Sequence, residues 1–220
     1  MNLIIESQYF GSIDYFKSSI SFSYWTIELY ERWEKALHLN RCHVLGPNGP
    51  LLLSVPLEHG RGQRTLLKDV KISYRENWST RHWRSLHDAY RRSPWFEHYA
   101  HSLEPLFRER PVFLMDWNQM TLDWVLKQLK WEGEIGQTES FRTDYPEDGF
   151  TDKRREYRSE PLPGSEVSYA YAQVFNDRHG FVGNLSILDL LFCEGPGARG
   201  LLEAAQDRRP VDDKPGDKLN

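Results

Sequence analysis

Apolar positions change their spacing twice along the chain. Leu3, Ile4 and Ile5 form a run ahead of Glu6 that reads as a strand. Ser12 is then placed to cap a helix in which Ile13, Phe16 and Ile20 recur at helical spacing. Residues 24–30 alternate, with Trp25, Ile27 and Leu29 on one side, which predicts a strand with one face in the core. Two further alternating stretches flank Gly46-Pro47-Asn48-Gly49: Cys42 and Val44 before it, and Leu51, Leu53, Val55 and Leu57 after it. Proline presets one backbone angle, and Asn and Gly tolerate positive φ. The tetrapeptide therefore predicts a tight reversal and a β-hairpin with one buried face. Residues 67–74 alternate again and predict another strand.

From Asn77 the period lengthens. Trp78, His82, Leu86 and Ala89 share a stripe that predicts a helix over 77–92, broken at Ser93-Pro94. A second helix is predicted from Pro94 to about residue 108. A third, ending near Leu129, stacks Phe113, Trp117, Met120 and Trp124. Residues 131–167 mix Gly, Pro and Ser with charge, including Asp152-Lys153-Arg154-Arg155-Glu156, and read as an irregular loop or lid. A strand is predicted at 169–175. A buried helix capped by Asn184 follows, ended by Gly195-Pro196, and then a helix over 198–205. Residues 206–220 are charged and contain proline, the composition of a disordered tail. These elements predict an α/β fold: a mixed, partly antiparallel sheet with an internal hairpin, packed by three consecutive helices, in a single domain over residues 1–205.

Composition narrows the function classes. The chain has 220 residues, and 8 Trp, 11 Tyr and 11 Phe give it ample material for a core. A net charge of −4 provides no global basic field, and no RNA-binding motif is present, so a nucleic-acid partner is not expected. Two cysteines, Cys42 and Cys193, do not make a disulfide framework, and a reduced, cytoplasmic setting is expected. The first ten residues lack a signal-peptide pattern, and no apolar run approaches the roughly 18 residues of a transmembrane segment.

Local charge suggests chemistry that the net charge hides. Arg41 enters the hairpin, Arg61 and Arg64 follow it among glycines, and Arg84 lies in the first long helix. Guanidinium groups there suit an anionic or nucleotide-linked small-molecule substrate; the alternative is a solvated loop beside Glu58 and Asp69. Asp189 lies on an apolar helix, where a carboxylate must be paired or protonated. Arg41 or another arginine near the hairpin is the expected partner, and Asp189 serves either as an ion pair fixing that helix or as a general base. His82, among tryptophans, is either a hydrogen-bonded core residue or an acid/base group. Glu97, His101 and Glu104 share a helix face without a metal-protease motif or a cysteine set, so no metal site is predicted. The chain contains no GxxxxGK[ST], GxGxxG or GxSxG, and the sequence points to no particular cofactor.

One resemblance adds to this. In order, QYFGSIDYFK, NRCHVLGPNG with LSVPL, NWSTRHWRSLHDAYRRSPWFEHY and FVGNLSILDLLFCEGP resemble the WbqC-like protein family over residues 3 to 202. The chain looks like a shorter branch, whose longer relatives carry more α/β sequence ahead of the NLSI-type segment. The resemblance implies a bacterial cytoplasmic protein of surface-polysaccharide (O-antigen) biosynthesis, with acyl or aminoacyl transfer to an amino-sugar precursor as its role. It draws attention to Asn40, Arg41, His82, Asn184, Ser186 and Asp189 within the matching motifs. The expectation is a transferase in which Asn40, Arg41, Arg61, Arg64 and Arg84 hold the anion and Asp189 or His82 acts as acid/base. A non-catalytic scaffold or binding protein of a polysaccharide-synthesis assembly is the alternative.

Overall fold

A short apolar strand, β1 (Asn2–Ile5), is the centre of the computed structural model, which describes residues 2–35, 39–58, 65–143, 145, 149–157 and 160–206. Leu3, Ile4 and Ile5 are fully buried, as an inner strand of a parallel sheet covered on both faces requires. The chain turns through α1 (Ile13–Ser19), where the Ser12 hydroxyl accepts the Tyr15 N–H at 3.3 Å as expected of a cap, and returns as β2 (Tyr24–Ile27) parallel to β1. The expected one-sided strand over 24–30 differs from this. Its regular part ends at Ile27, and Thr26 on the opposite face is buried as well as Trp25.

The hairpin forms as predicted from β3 (Arg41–Gly46) and β4 (Gly49–Ser54), with Gly46 opposite Gly49. Only Gly49 uses positive φ, at 106°; Asn48 does not. Cys42, Val44, Leu53 and Val55 are buried, whereas Leu51 is exposed. The antiparallel pairing stays in its own two-stranded sheet. Polar groups outside any strand take up bonds along the free edge of β3: the Ser186 N–H donates to the His43 carbonyl (2.7 Å), and the Leu45 N–H donates to the Tyr90 hydroxyl (2.8 Å).

Residues 67–74 do not form the expected strand. Leu67–Asp69 is a 3-10 turn, because the Leu67 and Lys68 N–H groups donate back to Glu31 and Leu29. Single bridges then join Ile72 to Leu57 and Lys71 to Phe113, so Val70 and Ile72 are buried without a ladder. The three helices follow as α2 (Trp78–Tyr90), α3 (Phe96–Leu103) and α4 (Leu114–Gln128). The second is shorter than expected, since Glu104–Arg108 tightens into 3-10 geometry.

The largest departure is in 131–167, read as irregular. It supplies both outer strands of the parallel sheet, β5 (Glu134–Gln137) beside β2 and β6 (Phe150–Asp152) beside β1. The strand order is β5-β2-β1-β6. Residues 162–163 then form β7 (Leu162–Pro163). The strand expected at 169–175 is absent, because side chains do the pairing: Gln173 bonds both the N–H and the carbonyl of Val182, and the Asn184 N–H donates to the Tyr169 hydroxyl. A short α5 (Asn176–His179) and β8 (Val182–Gly183, paired with β7) lead to α6 (Ile187–Glu194), which is capped by Ser186 in place of Asn184. The last helix is α7 (Ala198–Gln206).

Candidate functional site

The parallel sheet ends in carboxylates. Glu6 follows β1, Glu28 follows β2, and both are buried. Chain connections from β1 reach β2 on one side while β6 lies on the other. In open parallel sheets, ligand crevices form beyond the carboxyl ends of strands where neighbours diverge in this way. Here that place is filled by Glu6 and by residues 153–155, which leave β6.

Glu28 is saturated. One carboxylate oxygen accepts the Tyr30 N–H (2.7 Å) and the Thr138 hydroxyl (3.1 Å); the other accepts Arg154 Nη1 at 3.1 Å. The same guanidinium grips Asp152 through Nε (3.0 Å) and Nη2 (2.6 Å) and the carbonyls of Arg142 and Thr143. Arg154 is therefore a clamp between β2, β6 and the loop ahead of β6, with no donor left over for a ligand.

Glu6 is different. Its Oε2 accepts the Arg155 main-chain N–H at 3.0 Å, and its Oε1 is buried with no hydrogen-bond partner among the described residues. Burial lifts its pKa, the two backbone N–H bonds to it (its own and that of Arg155) pull the other way, and nearby Glu31 adds to the rise; the result is about 7. Arg155 takes φ +66°, uncommon for a long side chain, and is held there by that main-chain bond and by its guanidinium on Glu31. Nε donates to Glu31 Oε1 at 2.6 Å and Nη2 to Glu34 at 3.1 Å, while Glu31 Oε2 stays buried without a partner.

Further buried acceptors lie on the loop leaving β1 and on segments bonded to it. Gln8 donates from Nε2 to the Tyr157 carbonyl (2.8 Å), which fixes the amide and leaves Oε1 unpartnered. Asn118, on α4, donates to the carbonyls of Ser7 (3.1 Å) and Leu39 (2.9 Å), and Asn40 donates to that of Val55 (2.7 Å); both Oδ1 atoms are buried and unpartnered. The loop leaving β1 and the segments bonded to it thus hold five buried oxygens, on Glu6, Gln8, Glu31, Asn40 and Asn118, with no hydrogen-bond partner among the described residues. Each costs roughly 1–3 kcal/mol while unsatisfied. A recess of about 240 Å³ opens beside the ends of β2 and β5, lined by Ile27, Lys68, Met115 and Gln137. Met115 also accepts the Ser7 hydroxyl at 3.8 Å, joining the recess to the β1 exit.

The residues singled out from sequence divide differently. Asn40 and Arg41 follow Leu39, whose carbonyl is bonded by Tyr9 and Asn118, and so adjoin the β1 exit. Arg41 Nη2 reaches the Lys35 carbonyl at 3.5 Å and feels the charge of Glu160. Arg84 is exposed beside Arg81, itself bonded to Glu76 at 2.5 Å, in a shallow recess of about 370 Å³. Arg61 and Arg64 lie outside the described residues, as does the predicted tail beyond Gln206.

Asp189 does not pair with Arg41, which corrects the expectation of an ion pair. It is fully enclosed and accepts three neutral donors: Tyr90 Oη (2.6 Å), Tyr171 Oη (2.5 Å) and Gln173 Nε2 (3.0 Å). Burial pushes its pKa up, and those three donors pull it back. The arrangement binds α6 to α2 and to residues 171–173 and offers no free oxygen to a substrate. His82 is buried against Tyr9, with Nδ1 3.0 Å from the Tyr9 hydroxyl, and packs on Trp78. Burial, helped by Arg81, lowers its pKa to about 4, so the ring is neutral at pH 7. Neither group is hydrogen-bonded to Glu6. Sequence reasoning missed Glu6, although a signal was present: two apolar strands, Leu-Ile-Ile and Trp-Thr-Ile, each run directly into a glutamate.

Fold and site together define an α/β protein with buried carboxylates, Glu6 and Glu28, at the carboxyl ends of the two inner strands of a four-stranded parallel sheet. More particularly, the chain belongs to the WbqC-like protein family, whose family model matches residues 6–153. The matched stretch opens on Glu6, contains Gln8, Glu28, Glu31, Asn40 and Asn118, and stops short of Arg154; the FVGNLSILDLLFCEGP segment lies beyond it. No curated protein and no solved structure matches the chain. No helix among the described residues is long and apolar enough to cross a membrane.

Proposed function

We propose that this protein is a transferase that moves an acyl or aminoacyl group onto the amine of an amino-sugar precursor in bacterial surface-polysaccharide (O-antigen) synthesis, with Glu6 as the proton-exchanging group. The observation that carries this reading is the bare Glu6 Oε1 on a carboxyl whose pKa is pushed up to about 7. Such a group both takes and returns a proton near neutrality. The uncommitted acceptors on Gln8, Glu31, Asn40 and Asn118 complement the hydroxyls and amine of a sugar. Arg41, beside Asn40, is the group assigned to an anionic part of the substrate. In the reaction the amine nitrogen forms a bond to the acyl carbon of an activated donor. The bond from that carbon to the leaving group breaks with its electron pair. Glu6 accepts the proton lost by nitrogen and passes it to the leaving group.

The test is incubation of the full chain with nucleotide-linked amino sugars and acyl or aminoacyl thioesters, followed by mass spectrometry. The expected product is an amide one acyl group heavier than the sugar, formed at least about 100-fold more slowly by Glu6→Gln. Two results overturn the reading: no mass gain with any pair, as the scaffold alternative requires, or full turnover by the variant.

A further inference from the structure

The hairpin turn takes part in a second concavity, on the far side of β3 from Asn40. A groove of about 680 Å³ runs between Pro47, the carboxyl end of α2 and residues 172–178. Its size falls within the usual range for small-molecule sites. Cross-ties build it: His179 Nε2 lies 3.1 Å from the Pro47 carbonyl, and Gln173 is fixed at the base by its bonds to Val182 and Asp189. The six residues of β3, at about 3.3 Å each, carry the chain roughly 20 Å from Arg41 to the turn at this groove.

Arg91, Arg92 and Arg178 line the groove, against one acid, Asp88. None of the three guanidiniums forms an ion pair among the described residues, although Arg81, Arg108, Arg154, Arg155 and Arg199 each hold a carboxylate. The lack of pairing is informative because an acid is at hand. Asp88 precedes Arg91, the C-cap of α2, by three positions, a spacing that pairs charges along a helix, yet its carboxylate lies against His87 at 3.5 Å. The carboxyl end of α2 disfavours an anion, so the attraction must come from these side chains. The lining between the arginines is mixed, with Ser93 and Gln173 as polar members and half-buried Phe175 beside Val174 and Pro94 as apolar ones. Unneutralised guanidiniums next to a flat aromatic surface match a ligand with clustered phosphate charge on one side and a planar base on the other.

We infer that this groove is a binding site for a nucleoside diphosphate, with Arg91, Arg92 and Arg178 on the diphosphate and Phe175 against the base. The site is independent of the Glu6 reading and stands or falls separately. Isothermal titration of the full chain with uridine diphosphate, adenosine diphosphate, inorganic pyrophosphate and uridine tests it. Both nucleoside diphosphates should bind, pyrophosphate more weakly, and uridine not measurably. Exposed Arg92→Ala and Arg178→Ala should each weaken nucleoside diphosphate binding about tenfold or more. Phe175→Ala should weaken it about tenfold while leaving pyrophosphate within about twofold. Absence of heat with both diphosphates, or wild-type affinity in both arginine variants, overturns the assignment. A Phe175→Ala variant that loses pyrophosphate equally removes the base contact from it.

Discussion

Replacing Glu6 by glutamine removes a charge that the fold resists carrying. The carboxyl titrates near 4.5 in an unfolded chain and at about 7 in the folded protein, chiefly because it is buried. Between those values the folded state keeps a proton that the unfolded chain has released. Stability therefore falls as pH rises through that window and stays reduced above it. At about 1.4 kcal/mol per pH unit, the wild-type protein loses about 3 kcal/mol across the window on account of this one group. Glutamine has the same shape, and its carbonyl can still accept the Arg155 N–H, but it cannot ionise. The stability of Glu6→Gln relative to wild type should thus rise by about 3 kcal/mol between about pH 4 and pH 8. Urea unfolding followed by circular dichroism at the two pH values measures this, and groups common to both proteins cancel in the difference. An offset that is the same at both pH values refutes the buried, proton-exchanging carboxyl on which the proposed chemistry depends.

Other perturbations separate structural charges from reactive ones. Arg154→Ala leaves fully buried Glu28 without its cation and should cost about 3–5 kcal/mol in urea unfolding. Asp189→Asn sets an amide N–H₂ against the donors from Tyr90, Tyr171 and Gln173, and should lower unfolding free energy by about 2 kcal/mol, seen as a reduced Tm. For His82 the sign is opposite to that for Glu6. The unfolded imidazole gains a proton near 6.5 and the folded one only near 4, so stability is lost as pH falls through that interval; His82→Gln should remove about 3 kcal/mol of this acid sensitivity in pH-dependent melts. Gly49→Ala, at φ +106°, should cost about 1–2 kcal/mol, measured in the same urea experiment.

The legible parts of the fold were those where side-chain pattern and backbone pairing coincide. The inner strand β1, the strands flanking the Pro47-Asn48 turn and the tryptophan-rich helices all carry their pattern because they bury one or both faces. The strands β5 and β6 could not be read this way. Glu-Ile-Gly-Gln and Phe-Thr-Asp lie at the sheet edges, with mostly exposed side chains, and their pairing rests on main-chain bonds to inner strands already present. Residues 169–175 show the converse: they alternate because Tyr169, Tyr171 and Gln173 point inward to bond with 182–184 and Asp189, not because the backbone pairs. The same limit applies to the site. Asp189 was conspicuous as a charge among apolar residues, and the physics that made it so, complete enclosure, also sealed it. Glu6 was inconspicuous because the residues that define its surroundings, Glu31, Asn118 and Arg155, are scattered along the chain and only the sheet brings them together.

Two glutamates in the same local setting have been given opposite surroundings, and the neighbouring arginines decide which is which. Arg154 sends its guanidinium to Glu28 and Asp152, and its charge is the smallest of the influences on Glu6. Arg155 turns its side chain away to Glu31 and Glu34 and gives Glu6 only a main-chain N–H. Either guanidinium placed on Glu6 would hold it ionised and occupy Oε1, leaving it as inert as Glu28. The left-handed backbone at Arg155 presents that N–H while the side chain is directed elsewhere. Arg155 therefore acts on Glu6 through its main-chain N–H, which holds the pKa down against the larger effect of burial, and not through its charge.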